Sequence, residues 1–161
     1  MKHIKIYKPP DGPAQAAEFI KGLEPRLRDK VVRQILYLSR TPLPELKEPH
    51  YKHFSIEKYQ SLYELRERGR AVVRIIFTPC PNGDYLLLHA FVKRQKRDTE
   101  KALEHSLRLL ASLWNHPEYA VEYKVKEEET RCHPANKNSK RKRNKIAGEE
   151  EKRVPQKRDG R

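Results

Sequence analysis

The chain has 161 residues, with 36 Lys+Arg against 22 Asp+Glu and a formal net charge of +14. That length sets one domain as the expectation and lets a core form without covalent staples. The charge points to an acidic partner, nucleic acid or protein, and the lack of an apolar leader or of any long apolar run excludes a membrane-directed class, so a soluble cytoplasmic protein is expected.

The charge is shared evenly: residues 1 to 123 carry +7 and residues 124 to 161 the other +7. The basic character therefore belongs to the folding part as well as to the C-terminal end. The two cysteines, Cys80 and Cys132, give neither a disulfide framework nor a metal-binding spacing. No cofactor and no metal are expected.

In chain order, residues 2 to 7 alternate polar and apolar and read as a strand. Pro9-Pro10-Asp11-Gly12 ends it. A helix begins near Pro13, with Ala16, Phe19, Ile20 and Leu23 on one face. Gly22 and Pro25 break it, and a second helix follows with Leu27, Val31, Ile35 and Leu38 as its apolar stripe. Both helices are too short to stand alone, so this hairpin has to lie on a sheet. Residues 42 to 61 lack periodicity. They read either as a surface loop anchored by Tyr51, Phe54 and Tyr59, or as a basic loop whose Tyr or His side chains stack on a base.

Three apolar runs follow: Leu62 to Arg66, Ala71 to Phe77, and Tyr85 to Val92. Each has strand length and strand composition. Arg68-Gly69 and Asn82-Gly83-Asp84 supply turn chemistry between them. Together they predict an antiparallel three-stranded meander. A final helix starts at Asp98-Thr99-Glu100 and ends near Asn115, with Leu103, Leu107, Leu110 and Trp114 as its stripe and Trp114 as a core or capping residue. The fold class is α+β in the order β-α-α-β-β-β-α. The domain is expected over residues 1 to 117. Residues 118 to 161 read as a charged, disordered tail with Glu127-Glu128-Glu129, Glu149-Glu150-Glu151 and a Lys140 to Lys145 basic run.

Cations interrupt the apolar strands. Side chains alternate faces along a strand, so Val73, Ile75 and Phe77 point one way and Arg74 the other, and Arg66 lies opposite Leu65 and Tyr63. The third strand runs into Lys93-Arg94-Gln95-Lys96-Arg97. Paired in order, these strands put an apolar face on one side and converging Arg and Lys on the other, which suits a polyanion. The alternative for Arg66 is a salt bridge with Glu64 or Glu67. His89, within the third strand, reads as a satisfied core or sheet-face histidine.

The motifs Leu62-Tyr63-Glu64-Leu65-Arg66, Val73-Arg74-Ile75 and Leu87-Leu88-His89-Ala90-Phe91-Val92-Lys93-Arg94-Gln95-Lys96 are similar to those of the RelE/ParE toxin superfamily. They most resemble its HigB-like, phage-derived branch. The resemblance implies a RelE-like fold and the toxin of a type II toxin–antitoxin system, held by an acidic antitoxin. It also implies an endoribonuclease that cuts mRNA on the ribosome.

No Ser-His-Asp set, phosphate-cradling loop or metal cluster is legible, so the chemistry falls to Arg and Lys. Guanidinium forks suit the charge of a pentacoordinate phosphate, and a lysine crowded by cations has a lowered pKa suited to proton transfer. The expected transition-state clamps are Arg66 and Arg74. Lys93 and Lys96 are candidates for proton transfer or phosphate contact, with Lys52 as a further partner. Lys58, Arg68, Arg70, Arg94 and Arg97 are expected to hold the RNA backbone. Two other readings stand beside this one. One is a non-catalytic ParE-like toxin that binds a protein such as gyrase; the other is a plain nucleic-acid-binding domain.

Overall fold

The computed structural model describes residues 1 to 125. It is an α+β fold of three helices and a six-stranded, mostly antiparallel sheet. The strands are β1 (Ile4–Tyr7), β2 (Tyr51–His53), β3 (Tyr63–Arg68), β4 (Val72–Pro79), β5 (Tyr85–Val92) and β6 (Ala120–Glu122). The helices are α1 (Gln15–Lys21), α2 (Pro25–Arg40) and α3 (Lys96–Asn115).

The expected meander is the middle of the sheet. β3 pairs antiparallel with β4, and β4 with β5. The full order is β2-β3-β4-β5-β1-β6, with β1 running parallel to β5. Two strands were not legible. β2 lies in the loop read as irregular and is only three residues long, too short for alternation to register. β6 pairs with β1 past residue 117, so the sheet outruns the boundary expected there. The acidic and basic runs expected in the tail lie outside the described residues.

The helical hairpin packs on one face. Leu27, Val31, Ile35 and Leu38 of α2 are all buried, against Leu65, Val73, Ile75 and Phe77 of the sheet. Burying each such side chain contributes about 1.5–3 kcal/mol. Past Leu87, β1 no longer covers β5, and Gln15 of α1 takes its place. Gln15 Nε2 donates to Ala90 O at 2.7 Å, and Ala90 N donates to Gln15 Oε1 at 3.0 Å.

The opposite face is not simply cationic, and this corrects the expectation from strand alternation. It carries a second core: Ile76, Leu86 and Leu88 lie under Ala102 and Leu103 of α3. A register shift between Ile76 and Phe77 leaves Leu88 as an extra residue in β5. Leu87 and Ala90 then face the hairpin while Leu86 and Leu88 face α3. Only the part of this face beyond α3 is left to the arginines.

Trp114 is a second correction. It is 90% exposed, and Leu113 packs against the core in its place. Buried or core-packed positions on α3 are 102, 103, 106, 107, 109, 110 and 113, and position 114 has rotated off that face.

The 42–61 segment resolves toward anchoring. Tyr51, Phe54 and Tyr59 are all buried. In the β4–β5 turn, Gly83 has φ of +88°, the left-handed conformation that its lack of a Cβ permits.

Candidate nucleic-acid interface

Arg66 and Arg74 are direct partners across the β3–β4 ladder and so share one face of the sheet. Like charges placed directly opposite destabilise a strand pair. Glu64 offsets this. It sits two residues before Arg66 on the same face, and its side chain is only 1% exposed. Its Oε1 accepts a hydrogen bond from Arg66 Nε at 2.8 Å and lies 3.4 Å from Arg74 Nε. Its second oxygen, Oε2, is buried without a hydrogen-bond partner. Of the two salt bridges weighed for Arg66, the one with Glu64 is the one formed. A weaker pairing joins Arg66 Nη1 to Glu48 Oε1 at 3.8 Å.

Burial pulls the Arg74 guanidinium's pKa below its ordinary value; Glu64 opposes that shift, and Arg66 and Arg68 add to it. An arginine so shifted still keeps its charge at neutral pH.

These groups open into a cleft of about 480 Å³ lined by Pro49, His50, Arg66, Glu67, Arg68 and Arg74. Three arginines that converge on one concave surface form a strongly anionophilic site. His50 is part of this wall, and nothing in its sequence spacing assigned it a role. Its backbone O accepts from Arg66 N at 2.7 Å, which extends the β2–β3 pairing by one residue and fixes His50 beside Arg66. Its Nδ1 lies 3.1 Å from Oε1 of Glu67, whose side chain is 8% exposed against 47% for His50. The other Glu67 oxygen, Oε2, accepts from Arg68 N at 3.3 Å. A buried carboxylate on Nδ1 orients the ring and leaves Nε2 for other work. The signal available in the sequence was the pair of histidines in His50-Tyr51-Lys52-His53; its partner Glu67 is distant in the chain.

The remaining expected residues are spread wider. Lys52 lies opposite Glu64 in the β2–β3 register, with its Nζ 5.6 Å from the centre of the Phe54 ring. Lys93 continues β5: its N donates to Val72 O at 2.8 Å. Alternation from Phe91, the partner of Arg74, puts Lys93 on the arginine face. Lys96 and Arg97 are exposed in the first turn of α3, and Arg94 is exposed just before it. There they face the positive end of the helix dipole. Asp98 caps that end, accepting from Arg94 N at 2.8 Å and Gln95 N at 2.7 Å, and these bonds hold its carboxyl below the usual range. Helix α3 therefore starts two residues earlier than its acidic turn suggested, with Gln95 as the cap. Lys58 is tied to Glu104 of α3 and does not line the cleft. Arg70 is exposed in the β3–β4 turn. Among the described residues, no three His, Cys, Asp or Glu side chains come together as a metal site. None of the described helices is long and apolar enough to cross a membrane.

The family model for the phage derived protein Gp49-like family (DUF891) matches residues 18–111, more than half of the chain. The chain belongs to this family. The Gp49-like family is one of toxin–antitoxin toxins related to the RelE/HigB superfamily. The matched span runs from α1 to α3 and contains every arginine and histidine of the cleft. No curated protein matches the chain.

Proposed function

We propose that this Gp49-like protein is the toxin of a type II toxin–antitoxin system, of the HigB-like branch, and an endoribonuclease that cuts mRNA on the ribosome without a metal. The observation that carries the proposal is the convergence of Arg66, Arg68 and Arg74 on one cleft beside an oriented histidine. A gyrase-binding toxin or a passive nucleic-acid binder has no need of a carboxylate-held imidazole next to paired guanidiniums.

In the proposed reaction, the scissile phosphate enters the cleft and is gripped by Arg66 and Arg74. The 2′-OH of the preceding nucleotide attacks phosphorus, giving up its proton to a base. The bond from phosphorus to the 5′ oxygen breaks, that oxygen takes up a proton, and a 2′,3′-cyclic phosphate remains. The two guanidiniums stabilise the added charge of the pentacoordinate state, and Glu64 holds them in place beforehand, so little reorganisation is needed during reaction. His50 Nε2, with Nδ1 anchored on Glu67, is one proton-transfer group; Lys93, on the same sheet face, supplies the second. Lys52 lies farther along the sheet. Arg68 and Arg70, and Arg94, Lys96 and Arg97 at the start of α3, extend a cationic track for the backbone on either side. Lys58, already bound to Glu104, joins this track only if that pair opens. The excess of positive charge suits an acidic antitoxin that covers the cleft.

Induced expression in a bacterium, with mapping of cellular mRNA ends, tests the proposal. Growth arrest with new ends inside translated messages is expected, and both should vanish in Arg74→Met. Arrest with intact messages would mean a protein target instead.

A further inference from the structure

A second cavity adjoins the arginine cleft. It has a volume of about 500 Å³ and shares one lining residue with the cleft, His50. Glu48 links the two as well, since it lines the second cavity and reaches Arg66 of the first at 3.8 Å. The new feature of this cavity is Tyr37 of α2. Its side chain is 50% exposed and belongs to neither apolar core. An aromatic ring so exposed on a helix does little for the fold, yet this one packs beside a buried ring. It lies nearly parallel to the buried Tyr51 ring, with centroids 6.1 Å apart and planes inclined by 26°.

Tyr51 also fixes the polar wall beside it. Its hydroxyl is 2.7 Å from Gln34 O and 3.0 Å from Gln34 Oε1, and its single proton is shared between the two acceptors. With Oε1 turned toward Tyr51, the Gln34 amide NH₂ is left to donate elsewhere. Arg33 and Glu45 on the rim add further donors and acceptors. A flat, pre-oriented aromatic floor with hydrogen-bonding groups at its edge is what a planar heterocycle requires.

We propose that this cavity is a nucleobase subsite: a base adjacent to the phosphate gripped in the arginine cleft stacks on Tyr37, with its edge toward Gln34. The assignment rests on the RNA-cleaving reading above and deepens it. It makes Tyr37 a binding residue and divides the labour, with the arginines holding the backbone and α2 holding the base. It also changes which element supplies the stacking ring. The aromatics Tyr51, Phe54 and Tyr59 of the 42–61 segment are buried, and Tyr51 backs the Tyr37 ring.

The test is fluorescence anisotropy with two labelled, non-cleavable 2′-O-methyl oligoribonucleotides. One is complete and the other is abasic throughout with the same phosphates. The wild type should bind the complete oligomer about ten-fold or more tightly than the abasic one, in keeping with stacking of one base on an aromatic ring. Tyr37→Ala should lose that advantage and keep its affinity for the abasic oligomer, whereas Tyr37→Phe should keep both. Arg74→Met should lose affinity for both oligomers alike. Equal binding of the two oligomers by the wild type, or an unchanged advantage in folded Tyr37→Ala, overturns the subsite and leaves the RNA reading standing. A wild type that binds neither oligomer overturns the subsite, and the RNA-cleaving reading is then decided by cleavage of a message in a translating extract.

Discussion

Arg66 and Arg74 face each other directly across adjacent antiparallel strands, on the same side of the sheet. Left to themselves they repel; one shared carboxylate, Glu64, offsets part of that cost for two guanidiniums, and a bound anion offsets the rest. Replacing Arg74 by methionine keeps the buried stem and removes the charge. Arg74→Met should therefore unfold at a urea midpoint equal to or above that of the wild type, while RNA cleavage falls about 100-fold or more. Arg74→Lys should also lose cleavage, since an ammonium keeps the charge but not the two-pronged fork.

Glu64 is the counterpart of that pair. It is buried between the two guanidiniums, so Glu64→Gln takes the countercharge from Arg74 and leaves Arg66 only the weaker pairing with Glu48. The loss should be about 2–4 kcal/mol, measured by urea denaturation. In the double variant Glu64→Gln/Arg74→Met one of the stranded charges is gone, and the combined loss should fall short of the sum of the two single effects. Strict additivity of the two single effects would show that Glu64 does not couple to Arg74.

His50 and Glu67 should behave as donor and holder. Removing the imidazole in His50→Ala should lower the cleavage rate about 10²–10⁴-fold and erase one limb of the pH–rate profile. Glu67→Gln keeps a hydrogen-bond acceptor on Nδ1, so it should cost less and shift that limb instead of erasing it. A profile of unchanged shape in both variants would remove His50 from the proton transfers and leave Lys93 as the group to pursue.

A pH effect on stability follows from His89, on the α3 side of the sheet. Its ring centroid is 4.7 Å from that of His105, and its Nδ1 is buried without a partner. Burial first, then His105, pulls its pKa down from 6.5 to about 4. The folded state therefore prefers neutral His89. The stability this gives is full above pH 6.5 and is lost as pH falls toward 4. Allowing for its partial exposure, the change is about 2 kcal/mol. His89→Gln should flatten the fall in urea midpoint between pH 6.5 and 4.5 relative to the wild type.

The elements with a strong period were legible in the sequence. The α2 stripe and the three central strands could be read because each buries one face along its length. What escaped notice had physical causes. β2 and β6 are three residues each and owe their conformation to pairing with β3 and β1. The second core under α3 was hidden because the extra residue Leu88 breaks strict alternation in β5. Trp114 was misplaced because a straight extrapolation drifts around the helix. Within the cleft, alternation put Arg66 and Arg74 on one face, but the partnership of His50 with Glu67 depends on a loop folding back beside β3. Tyr37 gave no sign at all, since an aromatic on a helix reads as core until its exposure is known.

In the proposed reaction the 2′-OH acts as nucleophile within the arginine cleft. The most direct measurement is cleavage of a defined message by the purified chain in a translating extract, with a single 2′-deoxy substitution at the mapped cut site. Loss of that cut alone, with a 2′,3′-cyclic phosphate end on the unsubstituted message and no cutting by Arg74→Met, is the predicted result. Cutting of the deoxy-substituted message at the same position, or undiminished cutting by Arg74→Met, would contradict the account.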